Sequence, residues 1–270
     1  MSPRQLEHPF GDEPCEEVPL ASAPLARVLA QLRFEPLSAL NSSNVNSKFA
    51  EELSEKYPYL DKASEISMLI EGGKVSPQTS ETPVWQLSSA SRDVTISLSN
   101  GSLTIETTKY RGRSEFCEDL LRAADALKRL ARVPAYTRVG FRYTNRVVDC
   151  DLIARLPDLV RSEILGISAV ALGERASLQH SLSQALFNLQ DGNGLLVQWG
   201  QMPQNSTFDP SLLPIGEKSW ILDLDSFYQN SQIISDVSSL SETINGLSER
   251  AYRFFRWAVT PTFLTEFGGS

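Results

Sequence analysis

Val94-Thr-Ile-Ser-Leu-Ser99, Asn100-Gly101 and Leu103-Thr-Ile-Glu-Thr-Thr108 are two period-two runs on either side of an Asn-Gly pair. Alternation of this kind suits a half-buried strand, and Asn-Gly tolerates the positive φ angles of a type I′ turn, so the stretch predicts an antiparallel hairpin. A helix follows at once. Ser114–Ala131 sets Phe116, Leu120, Ala124, Leu127 and Ala131 on one stripe, with Glu115, Glu118 and Asp119 early and Lys128 and Arg129 late. Stripe and charge agree, because acids complement the start of a helix and cations its end.

Upstream, Ala26–Phe34 alternates Val28, Ala30, Leu32 and Phe34 against Arg27, Gln31 and Arg33, a strand pattern. A short helix carrying Phe49 and Leu53, capped by Asn44 or Asn46, should end at Tyr57-Pro58, since a residue before proline avoids α geometry. Strands are expected near Ser64–Glu71 and Val84–Ser88. Downstream, Thr137–Val148 returns to period two, and Leu152–Leu165 reads as a helix interrupted at Pro157. A second hairpin is expected from Gln179–Leu189, the turn Asp191-Gly-Asn-Gly194 and Leu195–Met202, then a strand at Ile221–Phe227 and a long helix from about Asp236 to Ala258.

Each half runs hairpin, strand, helix. The expected class is therefore α+β: antiparallel sheets with helices packed on one face, in two loosely similar halves, 25–150 and 151–270, forming one compact unit. Residues 1–24 carry prolines at 3, 9, 14, 19 and 24 among acids and read as a flexible lead-in able to dock as extended chain.

The chain has 270 residues, 41% hydrophobic and 21% charged, with a formal net charge of −8. Such a composition excludes disordered, collagen-like and coiled-coil classes, and the charge argues against coating nucleic acid or anionic membrane through bulk attraction. Cys15, Cys117 and Cys150 show no CxxC spacing, so neither a disulfide framework nor a thiolate zinc site is suggested. No run of apolar residues is long enough for a membrane helix, and the N-terminus lacks the order of a signal peptide. The expected location is the cytoplasm.

Catalytic motifs are missing: no phosphate loop, dinucleotide fingerprint, HExxH or nucleophile elbow is present, and no cofactor is expected. Of the two histidines, His8 falls in the lead-in and His180 in an expected strand, with no visible sequence partner. Asp223 and Asp225 share one strand face and are weak candidates for a divalent cation. Pairing to arginines across the sheet explains them as well. Arg138, Arg142 and Arg146 form a stripe on one strand face, about 13 Å apart at about 3.3 Å per residue, which could meet separate anionic groups of a nucleic acid or acidic partner. Intramolecular pairing is the simpler reading. Asn145 falls on the apolar side and requires hydrogen-bond partners there.

The last helix steps through Leu240, Ile244, Leu247, Ala251, Phe254 and Ala258, and a second row at Tyr252, Phe255 and Val259 widens its apolar surface. That excess predicts a second contacting layer or an outside protein. The row Arg250, Arg253, Arg256 lies in the last turns, where it complements the helix dipole.

Pro24-Leu-Ala-Arg-Val-Leu-Ala-Gln-Leu-Arg-Phe34, the helix from Phe49 to Tyr57-Pro58, Thr107–Tyr110 and Arg138-Val-Gly-Phe-Arg-Tyr-Thr-Asn145 together resemble a sporadically distributed bacterial and archaeal family of uncharacterised proteins of about this length. The resemblance spans most of the chain and implies an accessory, mobile or defence-associated setting, with no catalytic residues to carry over. The expected function is a non-catalytic protein-binding accessory or regulatory component, in a toxin–antitoxin or anti-phage setting, acting through sheet and terminal-helix surfaces. The competing expectations are a metal-dependent or nucleic-acid-acting enzyme and a nucleic-acid binder using the arginine stripe.

Overall fold

Alternating apolar residues make strands here because one sheet face is covered and the other is polar. A computed structural model describes residues 5–71, 74–229, 234 and 236–269, with 64–71 and 74–82 described by backbone course alone. Strand β1 (Leu25–Arg33) is followed by helix α1 (Ser43–Leu53) and by β2 (Tyr59–Glu71), β3 (Lys74–Ser88), β4 (Val94–Ser99) and β5 (Ser102–Thr107). Helix α2 (Arg113–Ala131) then leads to β6 (Arg138–Val147). The short helices α3 (Cys150–Ala154), α4 (Leu156–Leu159) and α5 (Ser162–Leu165) precede β7 (Ser181–Asn188), β8 (Asn193–Met202), β9 (Ser219–Tyr228), α6 (Val237–Ala258) and α7 (Pro261–Glu266).

The nine strands form an antiparallel sheet in the order β2-β3-β4-β5-β1-β6-β9-β8-β7. The chain is α+β, and its two halves share a plan: opening strand, helix, antiparallel meander returning beside the opening strand, long helix. Thus β5 returns beside β1 and β9 beside β6.

By packing, the chain divides into two units that interleave along the sequence: Met1–Arg27, Arg142–Ser226 and Gly246–Ser270 in one, and Val28–Phe141 with Phe227–Asn245 in the other. These boundaries cut through β1, β6, β9 and α6, because sheet neighbours are distant in sequence.

In the second unit, Val28, Ala30, Leu32, Ile96, Leu98, Leu103 and Ile105 are buried on the side of the sheet that α1 and α2 cover with Phe49, Leu53, Leu120 and Leu127. Phe116 of α2 meets Phe141 edge-on at 5.5 Å. In the first unit, Leu195, Val197, Trp220, Leu222 and Leu224 are buried together with Leu247, Ala251, Phe254 and Ala258 of α6. Each buried Val, Leu, Ile or Phe among them contributes about 2 kcal/mol on leaving water, and each Ala less.

Several local expectations change. Ser42, not Asn44 or Asn46, caps α1 by accepting from the Asn44 amide. Asn46 is buried and donates to the Leu40 carbonyl. The Asn100-Gly101 turn joins the pair Ser99↔Ser102, but only Gly101 has a positive φ, 138°, so it is not type I′. Asn100 is instead held by its side chain, which accepts from the Leu37 amide and donates to Asn41. The expected 152–165 helix is divided into α3, α4 and α5; Pro157 accounts for the first break, since its ring opposes continuation from the preceding turn, and the chain is extended at Val160 and Arg161 before α5. No helix among the described residues is long and apolar enough to cross a membrane.

Candidate functional site

The arginine stripe lies in β6, whose Val139, Phe141, Tyr143 and Val147 are buried while Arg138, Arg142 and Arg146 alternate with them. Each cation has contacts within the chain. The Arg138 guanidinium stands over the Phe227 ring at 5.1 Å. Arg142 Nε donates to both oxygens of Asp223, at 2.8 and 3.0 Å, and its Nη1 lies 2.8 Å from Asp209. Arg146 Nη1 donates to the Leu213 carbonyl at 3.1 Å.

Arg27 of β1 completes the cluster. Its Nη2 lies 3.5 Å from Asp209 and its Nη1 donates to Ser211 Oγ. Thr144 Oγ1 donates to Asp223 at 2.7 Å. Two cations and two carboxylates therefore neutralise one another, with hydroxyl groups filling remaining lone pairs. Burial is the largest influence on Asp223 and pushes its carboxyl above the usual range, while Arg142 and Thr144 pull it down. Burial also opposes ionisation of Asp209, but the Ser211 hydroxyl and Arg142 outweigh it and hold that carboxyl below the usual range. Asn145 finds its acceptor in the Leu222 carbonyl, at 3.1 Å.

Asp223 is thus engaged by Arg142 and Thr144, the cross-sheet pairing that competed with the cation reading. Among the described residues, no group of three acids, histidines or cysteines is placed to hold a metal ion. His180 is exposed one residue before β7, and His8 is exposed in the lead-in. Arg27, Asp209 and Ser211 are the residues that sequence reading missed. Arg27 was visible as the polar partner of a strand alternation, but Asp209 and Ser211 lie in an aperiodic loop. There the Asp209 side chain accepts from the Ser211 amide at 2.9 Å, a local turn that stiffens the loop.

The second row of α6 is covered from inside the chain. Phe255 is buried against Phe263 of α7 at 5.7 Å, and Tyr252 stands 6.2 Å from Phe255. Across this face runs the N-terminal segment, with bends and turns at 7, 9–10 and 12–13 and no regular element from 14 to 19. Leu6 is buried, and Phe10 packs on Phe187 of β7 at 5.1 Å and Phe254 of α6 at 6.0 Å. Most polar contacts reach its backbone: Val18 donates its amide to Tyr252 Oη at 2.7 Å, Arg256 Nη1 donates to the Glu16 carbonyl at 2.6 Å, and Arg161 donates to the Leu6 carbonyl. Met1–Arg4 of the expected lead-in lie outside the described residues.

Arg253 is less well served. Its Nε and Nη2 are buried without a hydrogen-bond acceptor, and Glu13 stays 4.0 Å away. The Glu13 carboxylate turns back to its own segment, accepting from the Glu7 and His8 amides. Beside this contact a cavity of about 500 Å³ is lined by Asp12, Asp191, Glu249, Arg250 and Arg253. In the other unit a cavity of about 230 Å³ is lined by Lys56, Asp93, Lys109, Arg111 and Asp119, where Lys56 Nζ lies 2.7 Å from both Asp119 oxygens.

No protein-family model matches the chain, and no curated protein matches it. Among solved structures, a match covers 89% of this chain and 98% of "the di-domain ARO/CYC StfQ from the steffimycin biosynthetic pathway", at 10% identity and a TM-score of 0.19. A superposition that weak leaves function to be argued from this chain's own residues.

Proposed function

We propose that the protein is a non-catalytic, protein-binding accessory component whose α6 face receives an extended, acidic polypeptide segment. The observation that carries the reading is the way α6 holds residues 5–20: Tyr252 and Arg256 grip main-chain atoms at Val18 and Glu16. Contacts to backbone are tolerant of sequence, so the same grip suits another extended chain with an aromatic anchor in the place of Phe10. Arg253 adds charge selection, because a carboxylate not tied to its own backbone would satisfy the guanidinium better than Glu13 does. A toxin–antitoxin or anti-phage setting rests on the family resemblance alone.

The test uses the full chain carrying Leu6→Ala with Phe10→Ala, which loosens its own segment, and a fluorescent peptide of residues 5–20. Saturable binding is expected to the double variant and little to the wild type, whose tethered segment competes at an effective concentration of about 1 mM. Adding Tyr252→Phe should weaken the peptide by several-fold. A double variant that still melts cooperatively yet leaves the peptide free at about 500 µM overturns the reading.

A further inference from the structure

Strand β7 ends the sheet, and its sequence carries none of the devices that usually blunt an edge. Ser181-Leu-Ser-Gln-Ala-Leu-Phe-Asn188 has no lysine, arginine, acid or proline, and its register with β8 runs from Ser181↔Gln201 to Asn188↔Gly194 without a shift. The opposite edge is different. β2 carries Asp61, Lys62, Glu65 and Glu71, and a bulge breaks its register between Ser64 and Ile66. Charges and bulges deter edge-to-edge pairing, so one edge is guarded and the other is open.

The open edge is also apolar. Leu182 is 41% and Leu186 57% exposed, and both point to the same face as Gln184. Which backbone groups look outward follows from the hairpin. Leu189 donates its amide to the Asn193 carbonyl, so the odd-numbered residues of β7 face β8 and Leu182, Gln184, Leu186 and Asn188 turn their N–H and C=O groups to the free edge.

We propose that β7 pairs antiparallel with β7 of a second copy of this chain about a two-fold axis at Gln184. That register sets Gln184 opposite itself, Leu182 opposite Leu186 of the second copy, and Ser183 opposite Ala185. Each exposed leucine is then covered by its counterpart, and the outward amides and carbonyls meet in about six hydrogen bonds. Phe187 faces the small Ser181 of the second copy. With no charge on the strand, the two-fold creates no like-charge repulsion, although each chain carries −8 overall. An edge of eight residues, about 27 Å long, is smaller than a standard interface, so the dimer is of micromolar strength. This pairing does not rest on the reading of the α6 face, although Phe187 also packs against Phe10.

Sedimentation velocity of the full chain between about 5 and 200 µM should show a mass rising from monomer to dimer. Leu186→Lys should weaken association more than tenfold, whereas Leu213→Lys, at an 84% exposed leucine elsewhere, should leave it unchanged. Combining Leu182→Glu with Leu186→Lys places opposite charges across the proposed register and should restore the dimer. A monomer throughout the range, a dimer indifferent to Leu186→Lys, or no rescue by the charge pair overturns the inference. All three substitutions lie on exposed side chains, and an unchanged cooperative melt separates lost pairing from lost folding.

Discussion

Arg142 donates from Nε to both carboxylate oxygens of Asp223, at 2.8 and 3.0 Å, with the carboxylate side chain only 1% exposed. One contact joins the middle of the arginine stripe to one of the two acids on a single face of β9 that were weak candidates for a cation. The same guanidinium reaches Asp209, so a strand, its neighbour and a loop share one cation.

Removing Asp223 should be expensive. Asp223→Ala leaves Arg142 partly desolvated and Thr144 without its acceptor, and is expected to lower stability by about 3 kcal/mol in urea unfolding. Asp223→Asn keeps an acceptor and should cost less. Replacing the pair together, Arg142→Met with Asp223→Leu, should recover much of the loss, since no buried charge is then left alone. A cost below about 0.5 kcal/mol for the alanine variant would mean that the pair behaves as a solvated surface bridge.

Gly200 of β8 has φ +149°, and a Cβ there would lie 2.0 Å from the Ser181 carbonyl oxygen of β7. Neither backbone can yield without parting the strands. Gly200→Ala should therefore destabilise by about 2 kcal/mol or more and speed amide exchange along β7 first. Gly216→Ala, where nothing lies within 4 Å of the added methyl, serves as the control and should melt like the wild type.

The acid limb of stability has a sign that can be stated group by group. Asp209, held low by Ser211 and Arg142 against the opposing effect of burial, stabilises the fold fully above its unfolded pKa of about 3.9, and that stabilisation is lost as pH falls through the lower folded value. Asp236 works in the same direction, because the Ser238 hydroxyl and the Ser239 amide and hydroxyl bind its carboxylate at the start of α6. Asp223, raised by burial, acts oppositely: its contribution is present below about pH 3.9 and fades as pH rises through its folded value. Urea midpoints between about pH 2 and 5 should thus fall less steeply with acid in Asp209→Asn than in the wild type. An unchanged slope would remove Asp209 from the account.

Cys117 is buried in α2, and burial pushes its thiol up to about 11, so it stays protonated near neutral pH. Cys150 is exposed. Iodoacetamide at pH 8 should alkylate Cys150 within minutes and spare Cys117 until urea is added, as read by peptide mass. Modification of Cys117 in the native protein at a similar rate would show that α2 opens readily.

Much of the architecture could be read from residue order because the signals were local. Alternation marked β1, β4, β5, β6, β8 and β9, and the stripes of α2 and α6 needed only their own residues. Pro157 announced an interruption of the helix expected over Leu152–Leu165, although not its division into three short helices. The turn at Asn100-Gly101 was located correctly but given the wrong geometry, since Leu37 and Asn41 lie more than fifty positions away and hold the Asn100 side chain. The site was less accessible. Arg142 and Asp223 could each be named from alternation, with pairing across the sheet as the simpler reading, but not that these two residues meet.

The sequence by itself determined an acidic α+β chain, the faces of its strands, the apolar rows of its last helix and the absence of charge along β7. These follow from periodicity and composition, which act over a few residues. Only the tertiary structure decided that Arg27, Arg142, Asp209 and Asp223 meet, that the segment 5–20 is held by Tyr252 and Arg256, and that β7 stands at the edge of the sheet. Those facts depend on which strands become neighbours, and neighbour choice is set by packing between residues far apart in sequence, an energy no local window contains.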